Sequence, residues 1–99
     1  MRRGRGRTVE TRPARLAFGA VLREFRKTKN LTQQQVADGA GYEVGYIARL
    51  ERGEFNPTLH LIVKVALGLG IDSRQLFSET IAELERGVPE YLVTPSDFD

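Results

Sequence analysis

Residues 33–52 read QQQVADGAGYEVGYIARLER. Apolar side chains recur in it at helical spacing, first Val36, Ala37 and Ala40, then Ile47 and Leu50. Thr32 precedes the stretch as an N-cap and Gln35 follows at the spacing of a capping box, so the pattern predicts a helix over 33–40. Gly39, Gly41 and Gly45 crowd the middle, and a tight turn near Gly41 suits a residue that adopts positive φ without steric cost. A second short helix is expected over about 43–52, with Gly53 at its C-terminal stop. Helices meeting near a right angle need a small residue where they cross, and Ala37 supplies it. Val36, Ala40, Ile47 and Leu50 are the apolar anchors that fix the angle.

Working outward, Leu16, Phe18, Val21, Leu22 and Phe25 define one face of a preceding helix, with Arg23, Glu24, Arg26 and Lys27 mostly opposite, and Asn30 ends it. On the other side, Asn56-Pro57-Thr58 reads as loop and then N-cap for a fourth helix over 59–69. That helix is apolar almost all round, only His60 and Lys64 being polar, as suits a central helix or one half-covered by a partner. Gly68 and Gly70 are read as its end, and Asp72 or Ser73 as the cap of a fifth helix to about Arg86. Leu76, Phe77, Ile81 and Leu84 spread over a wider arc of this last helix than one core contact needs. No stretch alternates for long enough to make a strand. The expected fold is all-α, five helices in one domain over 14–87. A disordered basic arm over 1–13 precedes it and an acidic tail over 88–99 follows.

The chain has 99 residues, 40% of them apolar and 28% charged, which suits one small domain with a modest core. It contains no cysteine, no tryptophan, one histidine and one methionine. Disulfide scaffolds, thiolate zinc sites, cysteine nucleophiles and multi-histidine metal sites are thereby excluded, and no cofactor is expected. His60 has no acid or base at partner spacing, so an enzyme fails on inventory and no catalytic residue is assigned. No apolar run is long enough to span a membrane, and the basic start leads into no apolar signal region, so a cytoplasmic location is expected. The net charge is only +2, but its distribution is uneven. Residues 1–15 carry six arginines against Glu10, or +5. Residues 72–99 carry two basic and seven acidic side chains, or −5. This polarity suits a polyanion met by one side, and equally a small protein kept soluble by charged ends.

A short helix, a glycine corner and a second short helix make a helix-turn-helix, whose second helix lies in the DNA major groove. The surrounding residues sharpen this reading. Phe18-Gly19, Leu22-Arg23-Glu24-Phe25-Arg26, Leu31-Thr32-Gln33-Gln34-Gln35-Val36-Ala37, Tyr46 to Gly53, Asn56-Pro57-Thr58-Leu59 and Ala66 to Leu69 together closely resemble the Xre/Cro-type, phage-repressor-like family over about 16–77. The resemblance implies a five-helix domain that binds operator DNA as a homodimer and regulates transcription.

Carried over residue by residue, the resemblance gives Gln33 a contact to the DNA backbone, where the helix dipole also favours phosphate. Glu43, Val44, Gly45, Tyr46 and Arg49 open and line the recognition helix. Arg49 can form a bidentate contact to guanine, Val44 can meet a thymine methyl, and Glu43 can accept from cytosine or only cap the helix. Tyr46 either reaches the DNA or packs beside the turn. Gly45 departs from the family, offering no side chain for readout but allowing close backbone approach, which gives DNA shape more weight. Arg52 and Asn56 fit phosphate-contacting positions. Arg26 and Glu51 match a partly buried structural ion pair. The arm lies outside the matched stretch; Arg3, Arg5 and Arg7 are assigned to the DNA backbone, with an RNA-binding Arg-Gly segment or plain disorder as the other readings. Leu76, Phe77, Ile81 and Leu84 are the expected dimer interface, although Leu76 matches a core position in the family.

The expected function is therefore a sequence-specific regulator that binds a palindromic operator in double-stranded DNA as a homodimer. Tyr91, Leu92, Val93 and Phe98 in the acidic tail motivate a second reading. In it the chain is an antitoxin-like or docking module that binds a protein partner through the tail, with DNA binding secondary.

Overall fold

A computed structural model describes residues 11–87, which form five helices: α1 (Arg12–Thr28), α2 (Gln33–Ala40), α3 (Val44–Glu51), α4 (Leu59–Leu69) and α5 (Ser73–Gly87). The arm residues Arg3, Arg5 and Arg7 and the tail over 88–99 lie outside the described residues. Helix α1 starts at Arg12, two residues before the expected boundary at 14. Pro13 falls in its first turn, where a missing N–H costs nothing, so this proline begins the helix and does not close the arm. At the other end Asn30 takes a left-handed φ of 57°, and the Leu31 N–H reaches back to the Arg26 carbonyl, ending the helix as expected.

The capping box is present on both sides. The Thr32 hydroxyl accepts from the Gln35 N–H at 3.0 Å, and the Gln35 side chain accepts from the Thr32 N–H at 2.8 Å. Gly41 closes α2 with a φ of 80°, and Tyr42 donates back to the Ala37 carbonyl, which redirects the chain into α3. Val36, Ala37, Ala40, Ile47 and Leu50 are all fully buried, so the corner is anchored by the residues expected to anchor it. Thr58 caps α4 by accepting from the Leu61 N–H.

Helix α1 packs on α5 and α3, and α2 packs on α4 and α3, around a core that includes Phe18, Leu22, Val65, Leu69 and Leu76. Three expectations need correction. Leu16 is 52% exposed and covers Gly53 at the end of α3 without entering the core. Gly68 does not end α4. It lies within the helix and faces Gly39, because any side chain on Gly68 would strike the Val36 carbonyl oxygen. Leu76 is 0% exposed and belongs to the core, so it is removed from the dimer interface. It sits on the side of α5 that packs inward on α1 and α4.

Candidate nucleic-acid interface

Helix α3 buries Ile47 and Leu50, so helical geometry turns Gly45 and Arg49 outward, while Val44 in the first turn is 38% exposed. Glu43 occupies the N-cap position, but its side chain makes no cap bond and is exposed. Gly45 has open space around it, nothing lying within 4 Å of where a Cβ would be. Tyr46 is half-buried, its ring 4.9 Å from Tyr42 on one side and 4.9 Å from Phe55 on the other. Its ring therefore packs beside the turn, and its remaining exposed part lies on α3 with Val44, Gly45 and Arg49.

The arginines past the middle of α3 are not loose. The Arg49 guanidinium lies 4.6 Å from the centre of the Phe55 ring, and its Nε donates to Glu54 Oε1 at 2.9 Å. Arg52 Nε donates to the other oxygen, Glu54 Oε2, at 2.7 Å. Both arginines stay more than half exposed, at 53% and 59%. Hydrogen bonds from Arg49 and then Arg52 hold the Glu54 carboxyl below the usual carboxylate range. Asn56 is exposed in the loop that follows. Glu54 and Phe55 were missed in the sequence: both lie in a loop, where no periodicity draws attention to them.

Gln33 and the ion pair form a second cluster. Arg26 Nε and Nη2 donate to Glu51 Oε2 and Oε1 at 2.5 and 3.0 Å, and Arg26 Nη1 donates to the Leu31 carbonyl at 3.1 Å. Gln33 Nε2 donates to Glu51 Oε1 at 3.0 Å, so its amide joins this network at the first turn of α2. The bond to Glu51 raises the Arg26 pKa above its ordinary value, against the lowering effect of burial. The network ties α1, the start of α2 and the end of α3 together.

On the opposite helices, Phe77 is 44% exposed and Ile81 and Leu84 are half-buried. The larger apolar surface is on α4, where Leu59, Val63 and Leu67 are 73%, 54% and 65% exposed. Their spacing of four puts them on one face. Leu59 and Val63 line a shallow groove of about 300 Å³ with Phe77 and Arg74. The sequence pattern points to dimerisation through the apolar arcs of both α4 and α5, but the residues it singles out, Leu76, Phe77, Ile81 and Leu84, all lie on α5. Among the described residues no group of three or more His, Cys, Asp or Glu is placed to hold a metal, and no helix is long and apolar enough to cross a membrane.

A helix-turn-helix family model matches residues 22–76. An uncharacterised HTH-type transcriptional regulator, y4dJ of Sinorhizobium fredii, is 33% identical over 66 residues, covering 67% of this chain and 86% of its own length. The control protein C.BamHI of Bacillus amyloliquefaciens is 34% identical over 71 residues, or 71% of this chain and 88% of its own. Among solved structures, the restriction-modification controller protein C.AhdI from Aeromonas hydrophila superposes with a TM-score of 0.59 at 40% identity. That match covers 64% of this chain and 96% of the controller.

Proposed function

The chain belongs to the Xre/Cro-like helix-turn-helix family of transcriptional regulators, and from that premise we propose that it binds a palindromic operator as a homodimer, with α3 in the major groove. The observation that carries the proposal is the two-sided character of α3. Ile47 and Leu50 root it in the core, while Val44, Gly45 and Arg49 face outward and Arg52 follows at its C-terminal cap. Its relatives named as control and controller proteins support the same reading. Arg49 is the base-reading residue, Val44 a contact to a thymine methyl and Glu43 an acceptor for cytosine. Arg52 and Asn56 meet phosphates. Beyond the bond to Glu51, Gln33 keeps one amide hydrogen to donate to a phosphate. Arg3, Arg5 and Arg7 add backbone contacts from the arm. The proposed target gives the protein a cytoplasmic place of action.

The test is binding to duplexes recovered from a random-sequence pool by the protein itself. An inverted repeat with half-sites about one helical turn apart is the expected product, and a pool that gains no consensus would sink the proposal. Arg49→Ala is expected to cost about 1–3 kcal/mol on the selected duplex and to relax preference at one base position. Uniform weakening on every sequence would make Arg49 a phosphate contact instead.

The dimer surface in this proposal is the exposed apolar face of α4, Leu59, Val63 and Leu67, continued by Phe77, Ile81 and Leu84 on α5. Val63→Asp places a charge at the centre of that face without touching the core. Sedimentation should then show a monomer, and affinity for the inverted repeat should drop at least about tenfold as the two half-sites lose their linkage. A Val63→Asp protein that still sediments as a dimer would move the interface elsewhere.

A further inference from the structure

We propose that Glu54 is a positioning residue for DNA specificity: its carboxylate holds Arg49 and Arg52 side by side through their Nε atoms and leaves both Nη ends for DNA. The inference rests on the assignment of Arg49 and Arg52 to the DNA interface.

The backbone delivers Glu54 to this place independently of any charge. Gly53 turns the chain at a φ of 77°, and the Glu54 N–H then bonds the Arg49 carbonyl at 3.1 Å. The carboxylate is thereby swung back beside the last turn of α3. Each of its oxygens takes one guanidinium, and in both cases the bonded atom is Nε. Among the described residues, the Nη atoms of Arg49 and Arg52 carry no hydrogen bond. A guanidinium gripped at Nε still offers its terminal pair of Nη donors, which can engage guanine O6 and N7 together or fork onto a phosphate.

Arg49 is held in a second direction as well. Its guanidinium stacks over Phe55, and that ring is backed by Tyr46 and then Tyr42. An edge contact from Glu54 and a face contact from Phe55 together fix the plane of the guanidinium. Exposed ion pairs of this kind add little to folding stability. Their value here is that a long, rotamer-rich side chain is ordered before DNA arrives, so less freedom is lost on binding. The carboxylate also has an opposing effect: a negative charge among the arginines weakens attraction to phosphates on any sequence. Glu54 therefore lowers general DNA affinity while favouring the contact that depends on geometry.

These two effects have opposite signs, which makes the role testable. The probes are a duplex selected from a random pool by the unaltered protein and an unrelated duplex of equal length and base composition, with affinities read by fluorescence anisotropy at fixed salt. Glu54→Gln is expected to weaken the selected duplex about fivefold and to tighten the unrelated one about twofold, contracting the specificity ratio on the order of tenfold. Glu54→Asp keeps the charge but is a methylene too short to span both Nε atoms. It should weaken the selected duplex and leave the unrelated one unchanged. Glu79→Gln makes the same charge change at an exposed site on α5 and should preserve the ratio. Thermal melts confirm that each variant is folded.

Tightening of both duplexes in equal proportion by Glu54→Gln would mean that Glu54 only repels phosphate, and would overturn the proposal. Equal weakening of both, or no change, would overturn it too. If the pool yields no consensus, or Arg49→Ala leaves the selected duplex unaffected, the DNA assignment itself falls and takes this inference with it.

Discussion

Glu51→Ala is expected to cost the domain about 3–5 kcal/mol of folding stability, because it strands a charge that burial has already stripped of water. The Arg26 and Glu51 side chains are 14% and 6% exposed. Without the carboxylate, Arg26 keeps only the Leu31 carbonyl as a partner, and the Gln33 amide loses its acceptor. The loss is large against the 5–15 kcal/mol that typically holds a domain together. For a domain of this size it should lower the melting temperature on the order of 20 °C. Replacing Arg26 and Glu51 together with apolar residues of similar volume should cost much less, since no uncompensated charge then remains. Urea unfolding of the single and double variants measures both. A Glu51→Ala protein within about 1 kcal/mol of the parent would show that the pair contributes little to locking α1 to α3.

This network was legible in the sequence only through family resemblance. Arg26 and Glu51 are 25 positions apart, and no local pattern connects them. What local chemistry could fix, it fixed well. The Thr32–Gln35 box needs only four consecutive residues to declare a helix start, and the left-handed corner at Gly41 only one. The misreadings concern which edge of an apolar arc turns inward. Leu76, Phe77, Ile81 and Leu84 look alike in sequence, yet packing of α5 on α1 and α4 buries Leu76 and leaves Phe77 44% exposed. The same periodicity places Leu16 on the inner face, although it is 52% exposed. Gly68 reads as a terminator in the sequence because a glycine near a helix end carries two meanings. Only the position of α2 decides that it marks a close crossing. Glu54 and Phe55 were invisible because their roles depend on the turn at Gly53 folding the loop back on α3.

The second large effect is expected at another glycine that sequence alone does not explain. Gly19→Ala adds one methyl group to the middle of α1 and is expected to cost about 3 kcal/mol. A Cβ there would lie 2.5 Å from the Leu50 carbonyl oxygen and 2.7 Å from that of Glu51. Both obstacles are backbone, so no side chain can swing aside. Relief requires α3 to move off α1 by roughly 1 Å to restore ordinary contact distances. That movement would unseat Ile47 and Leu50, stretch the Arg26–Glu51 pair and tilt the outward face carrying Arg49. Operator affinity should therefore fall even at temperatures where the variant remains folded. Gly45→Ala is the matched contrast, since the space around Gly45 is open and glycine inside a helix is about 0.5–1 kcal/mol worse than alanine. It should raise stability by about that amount. If Gly45 serves close backbone approach to the groove, the same methyl should weaken DNA binding. Calorimetry and anisotropy on the two variants then separate a glycine that α1 needs for packing on α3 from one that α3 needs for DNA. Equal melting temperatures for the Gly19→Ala variant and its parent would overturn the close-packing account of α1 and α3.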